Sequence, residues 1–147
     1  MKKLLFSLAI AGIGFFMNDA TAQEVAAGAK IEFSKEVHDY GTITQGGDGT
    51  CEFEFKNTGN APLIIQTAKG SCGCTVPSYP KEPIAPGATA TIKVKYDTNR
   101  VGPINKSVTI TSNATNEPTK VIRIKGTVNA APQGGAPVNK AGAPSAN

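Results

Sequence analysis

Apolar and polar side chains alternate one for one in four separate stretches of the chain. Cys51, Phe53 and Phe55 alternate with Glu52, Glu54 and Lys56. Ile92, Val94 and Tyr96 alternate with Lys93, Lys95 and Asp97. Val108 and Ile110 alternate with Ser107, Thr109 and Thr111, and Ile122, Ile124 and Gly126 with Arg123 and Lys125. Successive side chains of a strand leave on opposite faces, so a period of two builds half-buried strands; a helical stripe would recur every 3.6 residues. Two shorter apolar runs, Ile31 to Val37 and Leu63 to Thr67, complete the set. Turn chemistry separates the stretches: Gly46-Gly47-Asp48-Gly49, Asn57-Thr58-Gly59-Asn60, Pro86-Gly87, Val101-Gly102-Pro103 and the segment Asn113 to Pro118. No helical stripe and no internal repeat interrupts this pattern.

About seven short strands in roughly 100 residues predict an immunoglobulin-like antiparallel β-sandwich. One-sided alternation means that each sheet shows one face to the core and one to water. The expected core is Phe33, Val37, Phe53, Phe55, Leu63, Ile65, Ile92, Val94, Tyr96, Val108, Ile110, Ile122, Ile124 and Val128. At roughly 1.5–3 kcal/mol per buried large side chain, that set holds a domain of this size without a disulfide staple. The Cys…Trp…Cys pattern of antibody domains is absent. With the Cys51 strand beside the Ile92 strand, Glu52 and Glu54 are expected to face Lys93 and Lys95 as surface cross-strand pairs.

The two ends of the chain read differently from its middle. Met1 to Ala22 is read as a secretory signal: Lys2 and Lys3, the apolar run Leu4 to Met17, then small residues before a cut at Gln23. That run is shorter than the ~20 residues a membrane span needs, so no stable span is expected after cleavage. Residues 30–128 form the expected domain. Of the 19 residues from Asn129 to Asn147, 12 are Ala, Pro or Gly, which predicts a disordered tail. Cleavage leaves 13 basic and 10 acidic side chains, scattered along the strands. This is no nucleic-acid footprint. The mature chain also has no Met, no Trp and a single His, which excludes Met-rich copper sites and multi-His zinc sites.

Ser71-Cys72-Gly73-Cys74-Thr75 is the segment that folding alone explains least. Three readings stay open. Cys72 and Cys74 could be joined as a disulfide, with Gly73 permitting the tight backbone of so small a ring; an exported chain meets an oxidising compartment. Closing so short a loop removes only about 1.5 kcal/mol of chain entropy, so such a bond is either incidental or redox-active. Alternatively, the two thiolates could bind Cu(I), or half of a zinc site, with His38 the one imidazole able to join them. Lastly, the sulfurs could simply fill gaps between the sheets. Cys51 shares a face with Phe53 and Phe55 and is expected to be packed, with pairing to Cys72 or Cys74 the alternative.

His38-Asp39-Tyr40-Gly41 is read as a local device: Asp39 and Gly41 suit a bend, and Tyr40 packs its ring with the hydroxyl outward. No Ser or Cys nucleophile has a clear base other than His38, and no acidic pair stands out, so no enzyme is expected.

Several segments together resemble a known family. They are Val37-His38-Asp39-Tyr40-Gly41-Thr42-Ile43, then the run Phe53 to Leu63 with its Asn57-Thr58-Gly59-Asn60-Ala61-Pro62 turn, then Ser71-Cys72-Gly73-Cys74-Thr75. Pro86-Gly87, Val94-Lys95-Tyr96-Asp97 and Ile110-Thr111-Ser112-Asn113-Ala114 follow in the same order. The set is similar to the bacterial domain-of-unknown-function family 1573, common in exported proteins of Bacteroidetes, over about Ile31 to Val128. The resemblance implies an immunoglobulin-like sandwich akin to PapD-type and Hydin-type domains, exported to the periplasm or beyond. It marks Cys72, Gly73 and Cys74 as a signature and assigns them no role. The expected function is a non-catalytic envelope module that binds an envelope or extracellular protein by a strand edge or by the Cys72–Cys74 loop end. The rival is a thiol or metal protein acting through Cys72 and Cys74.

Overall fold

The computed structural model describes residues 27–134. The signal segment, and the tail from residue 135, lie outside the described residues. Eight strands are β1 (Ile31–Phe33), β2 (Val37–Thr44), β3 (Thr50–Asn57), β4 (Ile65–Gly70), β5 (Thr75–Ser78), β6 (Thr89–Tyr96), β7 (Gly102–Ser112) and β8 (Thr119–Asn129). They form two four-stranded sheets, in the orders β1-β3-β6-β5 and β2-β8-β7-β4. The result is an all-β immunoglobulin-like sandwich with no helix among the described residues. Every pairing is antiparallel except β2 with β8, which run parallel and reach the same end of the molecule.

The alternation does what its period requires. Phe53, Phe55, Ile92 and Val94 of one sheet and Val108, Ile110, Ile122 and Ile124 of the other are buried between the sheets. Cys51 is a free thiol packed with them, and burial raises its pKa. Leu63, Ile65, Tyr96 and Val128 are buried as expected, joined by Ile31, Ile84, Ile104 and Cys74.

Two expected core positions differ. Phe33 is only partly buried, its ring against that of Phe55 at 5.4 Å. Val37 is 46% exposed. The run from Ile31 to Val37 is not one strand: the chain leaves the first sheet after Phe33 and enters the second at Val37, so the in/out parity restarts there.

Register also decides the surface charges. Glu52 lies opposite Lys93, with Nζ 3.3 Å from its carboxylate. Glu54 lies opposite Thr91, and Lys95 opposite Thr50, so the second expected pair does not form. In antiparallel strands a step forward on one is a step back on the other, and two consecutive outward pairs cannot both run Glu52–Lys93 and Glu54–Lys95.

The parallel pairing needs one glycine. Gly126 has φ +148°, and a Cβ there would lie 2.9 Å from both the Gly41 carbonyl oxygen and the Tyr40 Cβ. Only the bare backbone lets β2 cross β8 at that point. The bend read at Asp39 and Gly41 is a break in the β2–β8 register between Asp39 and Thr42, and the Gly41 N–H donates to Asp39 Oδ1 at 2.8 Å.

Candidate functional site

Three connections meet at the end where β2 and β8 finish. The β2–β3 turn is tied to the β6–β7 loop by Gly46 N–H to the Thr98 carbonyl (3.2 Å) and by the Thr98 hydroxyl to the Gly47 carbonyl (2.6 Å). The link from β4 to β5, which carries the chain from one sheet to the other, is tied to the same loop by Asp97 N–H to the Cys74 carbonyl at 2.9 Å. The loops enclose two adjoining open depressions of about 460 and 370 Å³ that share Lys95, Tyr96, Asp97 and Asn99. The larger is closed by the Gly46–Gly49 turn, the smaller by Gly73, Cys74 and Val76. The Thr50 N–H donates to Asp48 at 2.9 Å and holds its carboxyl below the usual range.

The β4–β5 link is pinned at both ends. Ser71 N–H donates to the Ser107 carbonyl at 2.8 Å, and its hydroxyl accepts from Ser107 N–H at 3.2 Å. A Cβ on Gly70 would fall 2.1 Å from the Thr75 carbonyl oxygen, so the two strand ends approach as only glycine allows. Cys72 and Cys74 form a disulfide with their Cα atoms 5.3 Å apart, within the ordinary range. The expectation for Gly73 is corrected: its φ is not positive, and a Cβ there would meet nothing within 4 Å. Glycine's freedom is not what closes this ring; Gly73 leaves open space beside it.

The two sulfurs differ. Cys74 is 5% exposed and joins the core, whereas Cys72 is only partly buried against it. Thr75 is buried and places Oγ1 3.7 Å from Cys72 Sγ and 3.8 Å from Cys74 Sγ. Sequence reasoning missed Thr75; a hydroxyl residue directly after the second cysteine was the available signal.

His38 does not join the cysteines. It stands on β2, and β2 and β4 are opposite edges of one sheet. Its ring packs against those of Tyr40 and Phe53, with Lys35 Nζ 3.3 Å from Nδ1. Burial and then Lys35 lower its pKa, against the pull of Asp39. The Tyr40 hydroxyl is turned inward, contrary to expectation, and donates to the Gly49 carbonyl at 2.6 Å. Among the described residues no three His, Cys, Asp or Glu side chains gather as a metal centre requires. The metal-binding capacity on offer is the two thiolates that reduction of the disulfide would free.

The four edge strands are treated unequally. β1 is three residues long, and the Asn116 amide covers its outer row, accepting from Ile31 N–H at 3.0 Å and donating to the Ile31 carbonyl at 2.8 Å. On β4 the Gln66 carbonyl accepts from the Tyr79 hydroxyl at 3.1 Å. β5 has four residues and contains Pro77, which has no N–H to offer. β2 has eight residues and pairs only with β8; on its other side, among the described residues, the bonds are local, Gly41 N–H to its own neighbour Asp39 and the Thr44 carbonyl from Gly47 N–H at 2.8 Å in the following turn.

Two facing four-stranded sheets of this order define an immunoglobulin-like β-sandwich domain. The chain belongs to the family described as protein of unknown function DUF1573, whose model matches residues 31–128. No protein of curated function matches it in sequence. A crystal structure of a protein of unknown function from Porphyromonas gingivalis W83 is similar, with a TM-score of 0.62 and 18% identity. That match covers 74% of this chain and 51% of the other, so this chain spans about half its length. The ASH/PapD-like domain 7 of human CEP192 has a TM-score of 0.56 at 12% identity, over 85% of this chain and 99% of the domain. The secreted serine protease VesC of Vibrio cholerae has a TM-score of 0.53 at 16% identity, over 70% of this chain and 24% of that one. At these identities the likenesses establish the fold.

Proposed function

We propose that the chain is an exported, non-catalytic interaction module of the cell envelope, which binds a partner protein by adding an extended segment of it to the free edge of β2. The observation that carries this reading is the contrast among edges: β1 is covered by Asn116, β4 meets the Tyr79 hydroxyl, β5 is short and holds a proline, and β2 is long and open. Unpaired main-chain groups in a row are a template for another strand, and folds that do not use them cover them. Arg123 N–H donates to the Glu36 carbonyl, so alternation turns the Val37 N–H away from β8. The signal-like N-terminus and the disulfide support export. The non-catalytic part rests on the side chains present: the single imidazole faces Lys35 and Tyr40.

The test is a pull-down from envelope extracts at several salt concentrations, with the mature chain as bait. A specific partner should be recovered by the parent protein. It should be lost with Val37→Pro, which deletes one outward N–H at the edge, and kept with Val76→Lys on β5, an exposed position in the other sheet. Recovery of no partner at any salt, or of the same partner by Val37→Pro, would sink the reading.

A further inference from the structure

We propose that the Cys72–Cys74 disulfide is a thiol-exchange site, opened by attack of an external dithiol on Cys72 and closed again when its two thiols reduce a partner disulfide. The inference does not depend on the β2 edge, and it departs from the non-catalytic reading at one place, where it gives the β4–β5 link a redox step.

As a cross-link the bond adds little. It spans one residue, and main-chain bonds already hold both sides: Ser71 to Ser107, Cys74 to Asp97, and Thr75 in register with Tyr96 on β6. Opening the bond leaves this frame standing. The two thiols then remain neighbours, so reclosure needs little loop ordering. A bond that can break and re-form without moving the fold suits exchange.

The two sulfurs are also unequally accessible. Cys72 is partly exposed, and the position of a Gly73 Cβ is open space, so an attacking sulfur has an approach. Cys74 is 5% exposed and is the natural leaving group. The buried Thr75 hydroxyl, whose side-chain hydrogen-bond partners are these two sulfurs, can donate to the Cys74 thiolate as it forms. Lys95 lines the depression beside Cys74, a cation that favours thiolate, while the Asp97 carboxylate on the same rim accepts from the Asn99 N–H and Nδ2 at 3.1 Å. Cys51, 4% exposed with burial raising its pKa, is a spectator.

The step balances as follows. One thiolate of a dithiol attacks Cys72 Sγ; a mixed disulfide forms, the Cys72–Cys74 bond breaks, and the electron pair leaves on Cys74 Sγ. The second thiolate of the dithiol attacks its own sulfur in the mixed disulfide and releases the Cys72 thiolate. The dithiol has become a disulfide, and the chain has gained two electrons and, from water, two protons. In the reverse sequence the two chain thiols reduce a partner disulfide to its dithiol, and the Cys72–Cys74 bond re-forms.

The experiment uses the mature chain under native conditions, with dithiothreitol as the dithiol and oxidised glutathione as the trap, read by mass after alkylation. Dithiothreitol should reduce the disulfide without denaturant while Cys51 stays unalkylated. Glutathione should be captured on Cys72 of the reduced protein, and about tenfold faster in Cys74→Ser than in Cys72→Ser. Thr75→Val should slow reduction roughly three- to tenfold, the loss of one hydrogen bond to the leaving sulfur, and Thr75→Ser should restore it. If either cysteine variant fails to fold, mapping the glutathione adduct on the parent chain still decides. A mixed disulfide on Cys74, or reduction only in denaturant, overturns the proposal.

Discussion

Asn57 is the clearest case of one side chain holding several segments. It ends β3 with no exposed surface. Its Nδ2 donates to the carbonyls of Ala61 (2.8 Å) and Ile84 (2.9 Å), and its Oδ1 accepts from the N–H groups of Gly59 (3.0 Å) and Lys30 (3.3 Å). One amide therefore serves four main-chain groups, of which only the Ile84 carbonyl has a second partner, the Leu63 N–H at 2.8 Å. Asn57→Ala should lower stability by about 2–4 kcal/mol, because buried groups left without partners keep their desolvation cost. Thr58→Ala next to it, exposed, should change stability by less than about 0.5 kcal/mol. Urea midpoints of the two variants check the contrast; equal midpoints would remove Asn57 from this role. In sequence Asn57 reads only as the first residue of a turn. Its partners are nearby in the turn but also 27 residues away in both directions, and distant partners leave no local pattern.

At the scale of elements, Lys120 clamps two connections. It lies on β8 with its side chain 13% exposed, and its ammonium meets Glu36, between β1 and β2, and Glu117, just before β8, at 2.9 Å. The hydrogen bonds to Glu36 and then Glu117 raise its pKa. A raised lysine pKa stabilises the fold fully below the ordinary value of 10.5, and the contribution is lost as pH rises through the raised folded value. Lys120→Met should therefore cost about 1 kcal/mol at neutral pH. Its deficit against the parent should shrink above pH 10.5. Paired denaturation curves at pH 7 and at strongly alkaline pH check the sign; a deficit that grows with pH would refute it. β3, β6, β7 and β8 were legible from period and turn chemistry, and the neighbourship of β3 and β6 from the fold class; β5 was not read as a strand, and the His38–Gly41 stretch of β2 was read as a bend. Their stagger was not: the Glu52–Lys93 contact follows from a register that no residue of either strand announces alone. The start of β2 was misread for a related reason, since nothing in the run Ile31 to Val37 marks the change of sheet.

At the scale of the whole molecule, the question is whether the sandwich or the disulfide holds the domain together. The core is continuous between the sheets, with Phe53, Phe55, Leu63, Ile92 and Ile122 fully buried. Phe53, Phe55, Ile92 and Ile122 were readable from alternation, because their burial follows strand parity, and Leu63, which precedes β4, from a short apolar run. The cysteine site was only half readable. Spacing made a disulfide possible, but which sulfur is reached by solvent, and that Thr75 lies against both, depend on how the link crosses from sheet to sheet. The energetic consequence separates the two roles. Phe55→Ala should lower stability by about 3–5 kcal/mol, the cost of a large cavity in a close-packed core. Reducing the parent disulfide should lower it by no more than about 1.5 kcal/mol, because so short a loop restricts the unfolded chain very little. Urea unfolding of oxidised parent, reduced parent held under anaerobic conditions, and oxidised Phe55→Ala gives all three values in one series. A reduced protein that loses as much stability as Phe55→Ala would make Cys72–Cys74 a staple. A small loss would leave the fold to the two sheets and the sulfurs free for chemistry.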